Sequence, residues 1–577
     1  MISYNSLKIF FPPILWNLLS RYYRYFKNNK KKYDIRRWWS GEAISANGET
    51  FKNYQFLESD QKYITIYLEK EAKETILIKK KKSLKIKFQF KNKIQPYKVL
   101  FTFGNINDQV IEGKIDIKSD DITIISLKNL RPKAWNRVRS FFKNEEILEI
   151  INCTNRDIYF TAPTVIYKYE NKKDLTKDII FIALDQVDLA LFKRLEEKNL
   201  LPNISNFFSR NSISYEKCFC PGDWTVPCFN SIFSGLYPSS HGFYDLKYSS
   251  SIKNILDKDD NLISHLKKLK FNTMGIIKSK GHNPAYNVEK IFDRFLFFED
   301  IPGKTDNDDD LFVDLTIDYL EANKNSKNFV FLHYMKSHSP YYLPSYFEET
   351  ELDKDRNLDP GKEFYDAQIG YQDTKIAVNL KGDIFENKIR LRQEVRLRKI
   401  DMLLGNIFNY LEKNNLANSM VILTADHGIP HGEKNRSFLD NNWINIPLKI
   451  KYPSSSINLN SINTNPVSPV EFYDLLFKNM KHEQKNGKFF ENDLKSNFVF
   501  SESIFNEVYK VVISSRFFQF RFACSFDPLR KVVFINKIIF SSYSENGKDI
   551  QIESNKYYYF LKKIKENLIK SKILSVN

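Results

Sequence analysis

The stretch Asp223-Trp-Thr225-Val-Pro227-Cys-Phe-Asn-Ser-Ile-Phe-Ser-Gly235-Leu-Tyr-Pro238-Ser-Ser-His241-Gly-Phe-Tyr-Asp245 decides how the chain is read. Ile232, Phe233 and Leu236 can share one helix face. Trp224, Thr225 and Pro227 sit just before the helix, and Gly235 with Pro238 marks the stop. Thr225 therefore stands at or near a helix N-terminus, where backbone N–H groups and the helix dipole favour an anion. A hydroxyl there is placed to attack a phosphate or sulfate ester once a metal ion lowers its pKa. The alternative reading makes Thr225 a helix cap and nothing more.

Around this stretch the chain runs to 577 residues, enough for two or more domains. The apolar fraction of 42% supports large cores and excludes a disordered chain. Lys and Arg outnumber Asp and Glu to give a net charge of +18. That balance favours an anionic partner, a membrane surface or an acidic glycan. No nucleic-acid motif accompanies it, so no nucleic acid is expected. The five cysteines form no disulfide framework, and Cys218-x-Cys220 lacks the second pair of a zinc knuckle.

Residues 1–45 form a basic, aromatic N-terminal segment. Ile9 to Leu19 is apolar but is broken by Pro12-Pro13 and is too short to span a bilayer. No small-residue cleavage site follows, so neither a signal peptide nor a transmembrane helix is expected, and the expected place is the cytoplasm or the cytoplasmic membrane face. Arg21, Arg24, Lys27 and Arg36 alternate with Tyr22, Tyr25, Trp38 and Trp39. Such a segment suits peripheral contact with an anionic membrane, or packing on the protein's own surface.

Over residues 46–172 the apolar period becomes two. Tyr63 to Leu68, Leu84 to Phe90, Val99 to Phe103 and Ile122 to Leu127 predict short strands of a β-sandwich accessory domain. Asn171 to Asp174 reads as a linker.

A catalytic α/β domain is expected over residues 177–495. Ile179 to Leu184, Phe329 to Leu332 and Met420 to Thr424 are continuous apolar runs, as strands buried on both faces require. Asp185, then His333 and His338, then Asp426-His427-Gly428 follow these three runs. Ligand sites in such sheets lie beyond the carboxyl ends of strands, so Asp185, His338, Asp426 and His427 are expected to converge. His333 can also be read as a core histidine, and Asp401, on a charged helix from Ile389 to Leu411, as a packing residue. Residues 496–577 predict a strand meander and a basic helix from Tyr557 to Ile569 that complete this domain.

These pieces resemble the sulfatase-like branch of the alkaline phosphatase superfamily. The matching segments are Ile179 to Asp185, Trp224 to Pro227 with Phe233 to Gly242, Phe331 to Tyr341, Leu423 to Gly428, and Asn445 to Pro453, all in family order. The resemblance implies an alkaline phosphatase-like, mostly parallel sheet sandwiched by helices. It implies a divalent cation (calcium, zinc, manganese or magnesium) held by Asp185, Thr225, Asp426 and His427, with one ion favoured over two. It also implies that His338, with Lys434 or His431, neutralises charge on the ester. Lys278, Lys280 and His282 lie near a family Lys and His pair without a firm register.

The departures shape the expected chemistry. Sulfatases carry a Cys or Ser that becomes formylglycine where this chain has Thr225, and an Arg where it has Phe229. Cys228 is out of register. Gln186 replaces a frequent second Asp. A Thr nucleophile is familiar from the family's phosphodiesterases and headgroup transferases. The expected enzyme is thus a hydrolase or transferase acting through Thr225 on phosphate rather than sulfate esters. Three alternatives remain: a phosphoryl-headgroup transferase modifying a cell-surface glycan or lipid, a true sulfatase, and a non-catalytic glycan-binding protein.

Overall fold

The structure is a computed structural model. It describes residues 64–67, 75–89, 95–105, 109–119, 121–130, 134–141, 147–168, 178–243, 261–277, 291–297, 308–338, 383–414, 419–429, 439–453, 460–476, 497–505, 507–527, 530–571 and 573–576. The N-terminal segment 1–45, the linker at Asn171 to Asp174, Lys278, Lys280, His282, His431 and Lys434 lie outside the described residues.

Among the described residues nine strands come first: β1 (Ile64–Tyr67), β2 (Thr75–Ile78), β3 (Ser83–Gln89), β4 (Gln95–Asn105), β5 (Ile111–Ser119), β6 (Ile122–Leu130), β7 (Ala134–Phe141), β8 (Ile147–Asn152) and β9 (Ile158–Lys168). They form two sheets, ordered β1-β3-β8-β5-β6 and β2-β9-β4-β7. One apolar cluster draws on both, with Phe101, Phe103 and Phe160 from the second sheet and Ile115, Ile117 and Ile150 from the first. In β8 burial alternates along the strand, with Leu148, Ile150 and Asn152 buried and Ile147 exposed.

The central sheet follows the order β13-β12-β14-β10-β15-β16-β11-β17. Its strands are β10 (Asp178–Leu184), β11 (Ser212–Phe219), β12 (Phe271–Ile277), β13 (Arg294–Phe297), β14 (Lys327–Tyr334), β15 (Ser419–Ala425), β16 (Asn445–Lys451) and β17 (Asn460–Asn463). Five of its neighbour pairs run parallel, and β16 pairs antiparallel with β15 and β11. β10 is buried at every position because it lies between β14 and β15 with both faces covered. Register sets Ala183 beside His333 and Leu184 beside Tyr334 and Ala425, so three strands end level.

Helices cover this sheet. They are α1 (Leu189–Glu197), α2 (Pro202–Phe207), α3 (Thr225–Ser234), α4 (Pro238–His241), α5 (Leu262–Lys268), α6 (Asp308–Ala322), α7 (Asp383–Asn414) and the short α8 (Asn441–Ile444). Phe229 and Phe233 of α3 meet Phe331 of β14 with ring centroids 5.2 and 5.0 Å apart. Asp401 of α7 accepts bonds from Asn203 N, Asn203 Nδ2 and Ile204 N, and so ties the start of α2 to the long helix. Lys98 and Arg139 of the N-terminal sheets both pair with Asp318 of α6. Leu100 and Ile166 of those sheets join the central core, which makes the contact apolar as well as ionic.

The chain ends in an antiparallel sheet, β18 (Phe498–Phe505), β19 (Val508–Ser515), β20 (Phe518–Asp527), β21 (Val532–Glu545) and β22 (Lys548–Ile550), with β23 (Leu574–Val576) beside β21. Helix α9 (Ser554–Lys570) lays Phe560, Ile564 and Leu568 on it. Buried Glu502 joins these parts. Its carboxylate accepts from Ser239 N, Ser239 Oγ, Tyr509 Oη and Asn567 Nδ2 at 2.6–3.0 Å.

Candidate active site

The ends of β10, β14 and β15 are laced together. Asp185 N donates to Tyr334 O, and Asp426 N donates to Leu184 O. Gln186 then turns with a φ of 58°, a left-handed conformation that is uncommon for a residue with a side chain. Its N–H donates to Asp426 Oδ1 at 3.1 Å, as does His427 N at 2.7 Å. One carboxylate oxygen of Asp426 is thereby fixed, and the other is left for the site. Gly428 is required by packing, because a Cβ there would fall 1.9 Å from Asn442 O.

Thr225 is the first residue of α3, and Trp224 precedes it without a side-chain capping bond. Thr225 is therefore not the helix cap. Its segment is anchored from two sides. Trp443 Nε1 donates to Asp223 O at 2.8 Å, and Ser503 Oγ donates to Asp223 Oδ2 at 2.5 Å. Ser501 Oγ holds Cys220 O at 2.6 Å. The C-terminal sheet thus positions the turn that carries Thr225. His241 braces the same helix, close to Ser231 Oγ at 3.0 Å and Pro227 O at 3.2 Å. Burial lowers its pKa to about 3, so it acts as a neutral strut.

Asp185, Thr225, Asp426 and His427 meet in one place. Thr225 Oγ1 lies 3.5 Å from Asp185 Oδ2 and 3.5 Å from His427 Nε2. His427 Nε2 lies 3.5 Å from Asp426 Oδ2 and 3.9 Å from Asp185 Oδ1. Oxygen and nitrogen donors that share one cation, at about 2.0–2.4 Å and angles of about 90–110°, stand roughly 2.8–3.9 Å apart. The observed separations match that spacing and are long for direct hydrogen bonds. Asp185 Oδ1 and Asp426 Oδ2 are buried with no hydrogen-bond partner among the described residues. His427 Nδ1 donates to Gly428 O at 2.8 Å, which leaves the Nε2 lone pair facing the cluster.

Electrostatics agree with this geometry. Burial raises the pKa of Asp426, and the Asp185 charge raises it further. Burial also works to raise Asp185, but His338, His333 and His427 outweigh it and hold the group at about 2. For His427, burial is overcome by Asp426 and Asp185, and the ring's pKa rises. Two fully buried carboxylates thus share one pocket, where a divalent cation would offset their charge. The donor set fits such an ion. Thr225 is 8% exposed, whereas Asp185 and Asp426 are 0% and His427 3%, so Thr225 is the least buried of the four.

His338 follows a 3-10 turn at Met335–Ser337, half-buried and close enough to act on Asp185. Cys228 is fully buried, and burial raises its thiol well above the usual value, which disqualifies it as a thiolate nucleophile. The site residue that sequence reasoning left out is His333. It is buried beside Asp185, with Nε2 3.1 Å from Asp185 Oδ2, and it is not a satisfied core histidine. Its position directly after the apolar run of β14 was the available signal.

The family described as Sulfatase matches residues 177–490, more than half of the chain. The chain belongs to the sulfatase family. Members of this superfamily are hydrolytic enzymes, and the family generally uses a divalent metal ion. No curated protein matches the chain. Among solved structures, a putative sulfatase from Bacteroides fragilis is similar at 14% identity and a TM-score of 0.52. That match covers 70% of this chain and 97% of the other. The lipoteichoic acid synthase LtaP from Listeria monocytogenes is similar at 15% identity and a TM-score of 0.46, covering 71% and 97%. A phosphonate monoester hydrolase of Agrobacterium radiobacter is similar at 12% identity and a TM-score of 0.48, covering 68% and 95%. At 14% identity the likeness to the Bacteroides fragilis structure is one of fold. Among the described residues of this sulfatase-family chain, no helix is long and apolar enough to cross a membrane.

Proposed function

We propose that this sulfatase-family chain is a metal-dependent phosphoryl-transfer enzyme that uses Thr225 as its nucleophile. The observation that carries the reading is the hydroxyl of Thr225, at the start of α3, within 3.5 Å of both Asp185 and His427. Asp185, Thr225, Asp426 and His427 hold the cation in this account. When bound, the ion lowers the pKa of the Thr225 hydroxyl and screens the anionic ester.

Thr225 Oγ attacks phosphorus in line, the bond from phosphorus to the leaving oxygen breaks, and a phosphothreonine forms. The helix N-terminus faces the charge that builds on the phosphoryl oxygens. His338, with His431 or Lys434, neutralises that charge, and His338 protonates the departing oxygen. Water, or an acceptor hydroxyl, then attacks phosphorus and releases Thr225. A phosphodiester or phosphonate ester of an anionic glycan or lipid is the proposed substrate class. Residues 177–495 and 496–577 together form the catalytic part in this reading, and residues 46–172 serve as its accessory domain.

The test is a panel of nitrophenyl esters, comprising phosphate monoester, diester, phosphonate and sulfate, with added divalent metals. Diester or phosphonate turnover that disappears in Thr225→Ala supports the proposal. Full activity in Thr225→Ala, or faster turnover of the sulfate, overturns it.

A further inference from the structure

We propose that His333 is a second imidazole ligand of the cation and that this site therefore takes Zn²⁺ in preference to Ca²⁺ or Mg²⁺. The inference deepens the proposed function and rests on its claim that a cation sits beside Thr225.

The contrast between two buried histidines carries the argument. His241 is a structural residue whose ring faces Ser231 Oγ, Pro227 O and the Phe243 amide, all within 3.2 Å. His333 is 0% exposed, and neither of its ring nitrogens has a hydrogen-bond partner among the described residues. An imidazole left so in an apolar core costs about 1–3 kcal/mol unless something else satisfies it. Its Nε2 stands 3.1 Å from Asp185 Oδ2, a contact between a ring nitrogen and a carboxylate, and its Nδ1 faces no polar partner among the described residues. That separation falls within the roughly 2.8–3.9 Å expected of two atoms bound to one ion. Asp185, His333 and Asp426 each offer a donor atom within 4.8 Å of the others.

The ring is also held rigidly. Its backbone pairs with Ala183 across β10 and β14, and Phe229 meets the ring edge-on at 4.6 Å with an interplanar angle of 86°. Phe229 lies on α3, the helix that begins at Thr225. The nucleophile and the proposed ligand therefore share one packing contact.

With His333 included, the donor set becomes two carboxylates, two imidazoles and a hydroxyl. Ca²⁺ takes six to eight oxygens, and Mg²⁺ favours an octahedron of oxygens. Imidazole nitrogen suits Zn²⁺, which also binds more tightly than Mn²⁺ at a given nitrogen and oxygen site. Replacing His333 by an apolar ring removes one nitrogen and leaves the oxygens in place.

The test is calorimetric titration of the metal-stripped full chain with Zn²⁺ and, separately, with Ca²⁺, together with the visible absorption of the Co²⁺-loaded protein. His333→Phe keeps an aromatic ring beside Phe229; His333→Gln is the second variant if the first does not fold. The expected result is tighter binding of Zn²⁺ than Ca²⁺ by the wild type. A roughly 10-fold or greater loss of Zn²⁺ affinity is expected in the variant, with Ca²⁺ affinity little changed and the Co²⁺ spectrum altered. Unchanged Zn²⁺ affinity in a folded His333 variant, alongside weakened binding in Asp426→Asn, overturns the role of His333 and leaves the Thr225 reading standing. No binding of either ion by the wild type overturns both.

Discussion

Replacing Asp426 by asparagine should stabilise the cation-free protein and remove its response to added metal. Asp185 and Asp426 are both fully buried, with donor atoms within 4.8 Å of each other. At 4.8 Å and an effective dielectric of about 20, the repulsion of two unit charges is about 3.5 kcal/mol. Partial protonation of Asp426, whose pKa is raised by burial and by Asp185, relieves part of that repulsion. The sign is fixed by that raised pKa. The native state binds the Asp426 proton more tightly than the unfolded chain does, so stability falls as pH rises through the native pKa. Asparagine keeps an oxygen for Gln186 N and His427 N and removes the charge. In chelator at neutral pH, Asp426→Asn should therefore melt above the wild type.

Metal reverses the comparison. An ion at about 100 times its Kd stabilises the wild type by about 2.7 kcal/mol. For a catalytic part of this size that corresponds to roughly 3 °C in melting temperature. The variant should show little of this shift. Differential scanning calorimetry in chelator and in metal measures both arms. A variant that melts below the wild type in chelator, or that gains as much from metal as the wild type does, refutes the reasoning.

Other sites make separate predictions. Burial raises Asp178, at the start of β10, to about 7, against bonds from Asn328 N and Nδ2 to its Oδ1. Because this native pKa lies above the unfolded value, stability is full below the unfolded value and is lost as pH rises toward about 7. Asp178→Asn should flatten that loss, worth roughly 4 kcal/mol at most, in denaturant melts from pH 4 to about 8. Gly428→Ala forces a Cβ against Asn442 O, so Asp426 and His427 must move. Metal affinity, read by titration, should fall at least about 10-fold, and native affinity in this variant would contradict the packing. Glu502→Ala strands Ser239, Tyr509 and Asn567 and should cost about 3 kcal/mol or more in urea, whereas Glu502→Gln should recover part of it. Equal stability of these two Glu502 variants would show that the network is not the source.

The parts legible in the sequence are those written in consecutive residues. Ile179 to Leu184 announces a doubly covered strand because burial on both faces erases alternation, and β10 is buried at every position. Asp185 and Asp426-His427-Gly428 were findable because each follows such a run. The role proposed for His333 was not, although it too follows an apolar run, because it depends on the order β14-β10-β15 and on an Asp185 carboxylate far away in the chain. The brace from Ser501 and Ser503 to the Thr225 turn escaped for the same reason. A strand pattern shows which face is polar, but not which loop that face meets. Helix α7 begins at Asp383, ahead of the expected Ile389, because its first turns are charged and carry no apolar period to read.

The central claim is that Thr225 carries the phosphoryl group. The direct measurement is intact-protein and peptide mass spectrometry of the metal-loaded enzyme, quenched in acid during turnover of a phosphodiester. The account predicts one added phosphoryl group, located on Thr225, in the wild type, and none in Thr225→Ala. Turnover with an unmodified Thr225, or a phosphoryl group trapped on another residue, contradicts it.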